Sequence, residues 1–174
     1  MKALTRRFNI YLTLALLLGL ACGCQTDKKK QTAALRVHIE TNPDPTGSSQ
    51  QISVLRSNPV LVTIANTPIL SEANIISAKV IEAQGGFALE IKFDENGTWF
   101  LEQYSAANPG RHFVIFGQWG EKVGDGRWLA APIITHRITG GVLTFTPDCS
   151  REEADQMGLG LNETAKELHK QMLK

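Results

Sequence analysis

The sequence predicts an α+β fold, a mostly antiparallel sheet with two main helices packed on one face. Several segments alternate apolar and polar residues, as half-buried strands do, and two segments repeat apolar residues at helical spacing. Along the chain the order is strands, a helix, two or three more strands and a final helix, which favours a sheet covered by helices. The length of 174 residues is close to that of one domain.

The strands are predicted from this alternation. Leu35, Val37 and Ile39 share one face of the first strand, so His38 falls on the opposite, solvent-facing side. The clearest alternation is in "GGFALEIKFD", and "HFVIFG" is apolar on both faces, as a central strand is. The segment "WLAAPIITHRITGG" is predicted to be the return strand after a long turn, and "VLTFTP" adds another strand.

The helix boundaries are predicted from capping residues. Asp94 is the predicted N-cap of the first main helix. Ser150, with a glutamate three residues later, forms a capping box at the start of the last helix. Gly158 and Gly160 are expected to interrupt that helix, and Asn162 is expected to cap its second piece.

Residues 1–23 have the features of a lipoprotein signal peptide. Lys2, Arg6 and Arg7 form a positive region, and the uncharged apolar segment "IYLTLALLLGLA" follows it. This apolar segment has about 12 residues, whereas a membrane-spanning helix needs roughly 20. The sequence therefore predicts export of the chain, not a membrane span.

The motif "LACGC" places cysteines where the signal would end, and it resembles the lipobox of bacterial lipoproteins. In that class the cysteine is diacylated on sulfur and becomes the first residue after cleavage. Cys24 is favoured as the acylated residue because Gly23 precedes it and Ala21 lies three positions before it. Cys22 is the alternative, and an ordinary cleaved signal is a further one. The expected location is the cell envelope, anchored to a membrane, with the outer membrane favoured and the domain facing the periplasm.

Residues 24–33 are polar and unpatterned, and we expect them to form a tether that reaches up to about 30 Å when extended. Loss of residues 1–23 removes three positive charges and no negative charge, so the formal net charge of +1 becomes −2. No basic surface for nucleic acid is therefore expected. With Cys24 acylated, Cys149 is the last free cysteine of the mature chain, and no internal disulfide can form.

Three segments in order resemble the head subdomain of the first periplasmic region of SecD, an accessory subunit of the bacterial protein-export channel. They are "TPILSEANIISAKVIEAQGG", "FDENGTWFLEQYSAANPGRHFVIF" and "APIITHRITGG". The resemblance covers roughly residues 59–163 and includes "SREEA" at the start of the last helix. Within the second segment the matching residues at ungapped spacing are Gly97, Leu101, Tyr104, Asn108, Gly110 and Arg111.

The resemblance implies that residues 34–174 form a head-like α+β domain with a C-terminal helical extension, which would contact envelope or exported polypeptides. SecD-like proteins also carry several membrane spans, whose acidic residues are thought to couple proton flow to export, and this sequence has none. The turn at 117–127 is longer than the hairpin of the family, and "PDCS" is inserted before the last helix. The resemblance therefore implies a head-like fold without a motor.

The sequence contains no motif of a metal, phosphate or nucleophilic site, such as His-Glu-x-x-His or Gly-x-Ser-x-Gly. We therefore expect a protein without enzymatic activity, metal or cofactor. His38, His112 and His169 are interpreted as solvated. Alternation alone places His136 on the same side as Ile134 and Ile138, but the resemblance to SecD implies that it is a surface residue at a strand end. The alternatives are an envelope hydrolase that uses His112 or His136 with a nearby glutamate, and a purely structural tether.

Trp119 and Trp128 flank the glycine-rich turn, and together with Arg127 they are the candidate residues for binding a polypeptide or glycan. The alternative is that the two rings cover the end of the core.

Cys149 lies just before the last helix, where the helix N-terminus would lower the pKa of its thiol. Because no partner base is apparent, an incidental or buried thiol is preferred over a reactive one.

Overall fold

The computed structural model describes residues 32–120 and 126–172. The predicted signal peptide, Cys22, Cys24 and nearly all of the tether lie outside these residues, as does the middle of the predicted turn. Within the described residues the fold is α+β, with two α-helices and antiparallel strand pairs, which confirms the predicted class. The strands belong to three sheets instead of one.

The described residues form nine strands, one short 3-10 helix and two α-helices, here labelled α1 and α2. No helix among them is long and apolar enough to cross a membrane. In chain order the elements are β1 (Ala33–Ile39), β2 (Ser49–Val54), β3 (Val60–Ala65), β4 (Leu70–Ser71), the 3-10 helix (Glu72–Asn74), β5 (Ile75–Ala83), β6 (Gly86–Phe93), α1 (Glu95–Ala107), β7 (Phe113–Trp119), β8 (Arg127–Ala130), β9 (Val142–Phe145) and α2 (Arg151–Met172).

The first sheet has the strand order β4-β1-β7-β8. Its central strands β1 and β7 pair over their whole length, from Ala33 opposite Trp119 at one end to Ile39 opposite Phe113 at the other. The alternating apolar residues of β1 are buried in the main core, as their pattern predicts. Ala33 and Ile39 therefore lie at opposite ends of the first sheet.

The second sheet has the strand order β5-β6-β9. Leu89, Ile91 and Phe93 on β6 are buried in the same core as the apolar face of β1, and Phe87 is half-buried. Helix α1 contributes Leu101 to this core, and α2 contributes three further buried side chains. The core therefore lies between the two larger sheets and the two helices. The α2 side chains are Met157, Leu161 and Ala165.

The predicted N-terminal caps of both helices are confirmed. The side chain of Asp94 accepts a hydrogen bond from the backbone N–H of Gly97 at 2.7 Å. At the start of α2 the backbone N–H of Glu153 donates to the hydroxyl of Ser150, and the Glu153 carboxylate accepts from the backbone N–H of Ser150. Both contacts satisfy N–H groups that have no partner within the helix.

Helix α2 runs without a break through Gly158 and Gly160, so the predicted interruption is wrong. Gly160 lies directly against β1, where an added Cβ would come within 2.9 Å of the Ala33 Cβ. Asn162 is not a cap. Its side-chain amide donates to the backbone oxygen of Ala78 and accepts from the backbone N–H of the same residue, each at 2.8 Å. Tertiary packing against two sheets overrides the local preferences of these residues.

The hairpin of β2 and β3 corrects the prediction for His38. This hairpin covers the face of the first sheet that alternation assigned to solvent, and it packs Val62 and Ile64 against Val114 of β7. His38 is consequently only 5% exposed. Its ring Nδ1 lies 2.8 Å from the backbone oxygen of Ala65. The hairpin covers the second face of β1 at His38, whereas Arg36 on the same face is exposed, so the polar side of the pattern indicates solvent along only part of the strand.

Burial makes His38 a source of pH-dependent stability. Desolvation is the largest cause that lowers the pKa of His38 below its ordinary value. The unfolded chain therefore takes up this proton more readily than the folded protein. We expect His38 to contribute no pH dependence to the free energy of unfolding well above about pH 6.5. Below about pH 6.5 this free energy should fall as the pH drops, by at most about 1.4 kcal/mol per pH unit.

The measurement is urea unfolding between pH 7.5 and pH 5, compared between the wild-type protein and His38→Gln. Glutamine retains an amide donor for the Ala65 oxygen but does not titrate. His112 is present in both proteins, so the difference in slope reports His38. Equal slopes for the two proteins would contradict the expectation.

Candidate functional site

An open groove lies between the segment after β8 and strand β9. The sequence predicts one return strand over residues 128–141, but the strand ends at Ala130. The next residues run beside the start of β7: the N–H of Phe113 donates to the oxygen of Pro132 at 3.0 Å, and the N–H of Ile134 donates to the oxygen of Arg111 at 2.7 Å. Pro132 has no N–H to continue a regular ladder, which is consistent with the end of the strand.

Helix α1 holds the far end of this segment. The buried hydroxyl of Ser105 accepts a hydrogen bond from the backbone N–H of Ile138 at 2.9 Å and donates to the backbone oxygen of Glu102 at 3.1 Å. The side chain of Arg137 forms an ion pair with the carboxylate of Glu102. One wall of the groove is thus fixed to both β7 and α1.

Strand β9 forms the opposite wall, and the groove has a volume of about 270 Å³. Seven of its ten lining residues are apolar, and none of the ten is a carboxylate, lysine or arginine. Ile133 is 55% exposed, so its side chain is available at the surface. No local pattern predicts this site, because the segment that forms its first wall is positioned by residues 110–113 and by Ser105, which are distant in sequence. The apolar lining residues are Phe113, Pro132, Ile133, Ile134, Ile138, Val142 and Leu143.

The histidines lie in different surroundings. His136 is exposed, as predicted, and it lines the groove with its Nδ1 2.9 Å from the hydroxyl of Thr135. His112 is half-buried rather than solvated, and its Nδ1 lies 2.6 Å from a carboxylate oxygen of Glu40. That oxygen also accepts the backbone N–H of His112. His169 is half-buried on α2. No group of three or more potential metal ligands occurs within residues 32–120 and 126–172.

The His112–Glu40 pair lies next to the groove, since His112 forms a β-bridge with Ile133, but it is not part of the groove lining. Neither member of the pair lines the groove, and His136, which does line it, has no carboxylate among the other lining residues. General acid–base catalysis needs a base within hydrogen-bond reach of a bound substrate. The described part of the chain therefore does not combine a histidine–carboxylate pair with this cavity.

The three candidate binding residues of the glycine-rich turn have internal contacts. Trp119 is 8% exposed and belongs to the main core, and Trp128 is half-buried with its ring edge-on to the ring of His38. The guanidinium of Arg127 lies 4.7 Å from the Trp119 ring centroid and pairs with the carboxylate of Glu153. The two tryptophans therefore do not form an exposed aromatic pair.

The environment of Cys149 reverses the predicted effect of the helix N-terminus. Its side chain packs against the main core, and this burial is the largest cause that raises the pKa of the thiol to about 11. The nearby carboxylate of Glu153 acts in the same direction. Cys149 is therefore a protonated, half-buried thiol, in agreement with the interpretation that it is not reactive.

Two of the solved structures that are similar to this chain share its fold. One is of a membrane component SecDF that enhances protein export, and the other is of SecDF in a super-membrane-facing form. Each is 22% identical over 77% of this chain, with TM-scores of 0.53 and 0.54. The chain covers 64% of the first structure and 19% of the second, and at this identity the likeness concerns the fold alone.

No curated protein matches the sequence. Residues 49–165 match the family described as SecDF, P1 head subdomain. This match contains the whole region that resembles SecD in the sequence, and the similar structures share its fold. The chain therefore belongs to the SecDF P1 head subdomain family.

Proposed function

We propose that this protein is a lipid-anchored component of the bacterial cell envelope that binds extended polypeptides in the groove between residues 132–138 and β9, without catalysis. The groove itself is the observation that carries the proposal. It is open and mostly apolar, and none of its lining residues is a carboxylate, lysine or arginine. At about 270 Å³ it is slightly smaller than the roughly 300–1,000 Å³ that is typical of small-molecule sites.

The family supports a connection with protein export. One of the similar structures is of a membrane component that enhances protein export. This chain covers 64% of that structure's length, so we transfer only a role that its own surface can perform. Binding of exported or envelope polypeptides is such a role, because apolar surface exposed in an open groove accepts unfolded segments without a chemical step.

The hydrolase alternative has less support. A hydrolase of this kind would need His112 or His136 beside both a carboxylate and a bound substrate. His112 has the carboxylate of Glu40, and His136 has the groove. Because the two requirements are met at different places, we expect no hydrolytic activity towards cell-wall or polypeptide substrates.

Ile133→Asn tests the groove. We expect this variant to bind a fluorescently labelled, permanently unfolded polypeptide about tenfold more weakly than the wild-type protein, because an exposed apolar contact of the groove is removed. Leu159→Asn is the matched control. Leu159 is 59% exposed on α2, compared with 55% for Ile133, and it does not line the groove. Fluorescence anisotropy measures the affinity, and thermal unfolding confirms that both variants are folded.

Equal affinity of Ile133→Asn and Leu159→Asn would contradict binding in the groove. If the wild-type protein does not bind the unfolded polypeptide at all, the structural-tether alternative is favoured instead. That envelope polypeptides are also bound by Trp119, Trp128 and Arg127 stays a prediction. Replacement of both tryptophans should then reduce recovery of envelope partners after crosslinking, and stability must be measured in parallel because Trp119 belongs to the core.

Anchoring is proposed at Cys24, with Cys22 as the alternative and the outer membrane as the favoured location. The support is the lipobox-like sequence that follows the apolar segment. Mass spectrometry of the mature N-terminus should detect acyl chains on Cys24. Cys24→Ser should abolish them, whereas Cys22→Ser should leave them in place. An unmodified N-terminus further along the chain would overturn the anchoring proposal.

A further inference from the structure

We infer that the polypeptide is held in the groove as an added strand on the free edge of β9. This inference rests on the polypeptide-binding function proposed above, and it specifies the chemistry by which the occupant is recognised. The occupant would be an extended, unfolded segment with free backbone N–H groups and uncharged side chains.

Among the described strands, β9 is the last one of its sheet and pairs with β6 alone. The N–H of Phe93 donates to the oxygen of Gly141 at 2.9 Å, just before β9 begins. In an antiparallel pair, residues that exchange hydrogen bonds alternate with residues that do not. Given the register of β6 and β9, the backbone groups of Leu143 face β6, whereas those of Val142 and Thr144 point away from it.

These outward groups lie beside the groove. Val142 and Thr144 both line it, and the Thr144 side chain is exposed. Within residues 32–120 and 126–172, the backbone groups of these two residues have no hydrogen-bond partner from another element. The edge therefore presents a row of donors and acceptors to whatever enters the groove.

The opposite edge of the same sheet is covered at Ala78. There the outward N–H and C=O of Ala78 on β5 are both bonded to the side-chain amide of Asn162 on α2. Proteins generally cover or block exposed strand edges, since an open edge can pair with another chain. This sheet is closed by a side chain at β5 and left open at β9, next to an apolar groove.

The charges of the site match an extended backbone. The partial positive charges on the N–H groups and the partial negative charges on the C=O groups of β9 are complementary to the same groups on another extended chain. No lining residue is a lysine, arginine or carboxylate, and His136 is the one titratable side chain in the lining, so a mostly uncharged segment fits the groove best. Folded proteins use these backbone groups internally, which favours unfolded segments as occupants.

Thr144→Pro tests this mode of binding. Proline removes the outward N–H at residue 144, while the hydrogen bonds of β9 to β6 come from the neighbouring residues, and proline is tolerated on edge strands when the missing N–H faces outward. Thr144→Val is the matched control, because it changes the side chain and retains the N–H. With the labelled unfolded polypeptide as probe, we expect about tenfold weaker binding for Thr144→Pro and unchanged binding for Thr144→Val.

A second measurement leaves the protein unaltered. A short labelled peptide of alternating valine and threonine residues is compared with a version whose backbone nitrogens are methylated at every second residue. Strand addition predicts that methylation in one of the two alternating phases weakens binding to the wild-type protein about tenfold and that the other phase has little effect. This comparison decides the question if Thr144→Pro does not fold.

The outcomes separate the two proposals. Strand addition would be overturned if Thr144→Pro and both methylated peptides bind normally while Ile133→Asn binds more weakly. The groove would then remain the binding site. Unchanged binding by Ile133→Asn together with loss in Thr144→Pro would assign the affinity to the edge of β9 and not to the apolar groove. Absence of binding by the wild-type protein would overturn both.

Discussion

Gly160→Ala is expected to lower the free energy of unfolding by about 1–3 kcal/mol, which is typical of an extra methyl group forced into a packed core. A Cβ at this position would lie 2.9 Å from the Cβ of Ala33 and 3.1 Å from its backbone nitrogen. Ala33 is paired with Trp119 in the first sheet and cannot withdraw without disturbing that register. The helix must therefore shift away from β1.

Gly158→Ala is the matched control for this prediction. Gly158 lies two residues earlier in the same helix, and its nearest neighbour to an added Cβ is the backbone oxygen of Ala78 at 3.8 Å, an ordinary contact. Alanine is favoured over glycine inside a helix by about 0.8–1.0 kcal/mol, so this variant should be somewhat more stable than the wild-type protein. Urea unfolding measures both variants. A stabilising effect of Gly160→Ala would contradict the proposed close contact with β1.

Asn162→Ala is expected to cost about 1–3 kcal/mol, because two backbone groups of Ala78 lose their partner where α2 covers the edge of β5. Gln156→Ala is a suitable control, since it removes an exposed amide from the same helix. Urea unfolding should show a clear loss for Asn162→Ala and little change for Gln156→Ala. Equal effects of the two substitutions would contradict the role of Asn162 in closing the edge.

Local patterns in the sequence predicted much of this fold. The alternation of β1 and β6 identified buried strand faces, since the period of side chains along a strand is fixed by the backbone. The caps at Asp94 and Ser150 were also predicted, because capping depends on residues only a few positions apart. The family match likewise falls where three sequence segments resemble SecD.

The predictions are wrong at residues whose environment is determined by segments distant in sequence. His38 was assigned to solvent because alternation cannot reveal that the hairpin of β2 and β3 covers the second face of β1. Glycine and asparagine are typical of helix ends, but in α2 Gly160 packs against Ala33 and Asn162 hydrogen-bonds to Ala78, on two different sheets. These contacts join residues far apart in the chain, and no local pattern encodes them.

The candidate site was missed for the same reason. Its walls come from residues 132–138 and from β9, and the first is positioned by backbone bonds to residues 110–113 and by the Ser105 hydroxyl. The sequence signal was the interruption of the predicted return strand by Pro132, which ends regular pairing. The aromatic residues beside the turn, Trp119 and Trp128, are the more conspicuous signal in the sequence, but their rings are used largely for packing.

The long pairing of β1 with β7 also separates the groove from the residue at which β1 begins. The chain enters the domain at Ala33, whereas the groove is lined by Phe113, which lies opposite Ile39 at the other end of β1. Six strand steps between these ends span about 20 Å. With an anchor at Cys24, β1 would act as a rigid spacer, and shortening residues 25–31 would bring the groove closer to the lipid surface without altering the groove itself.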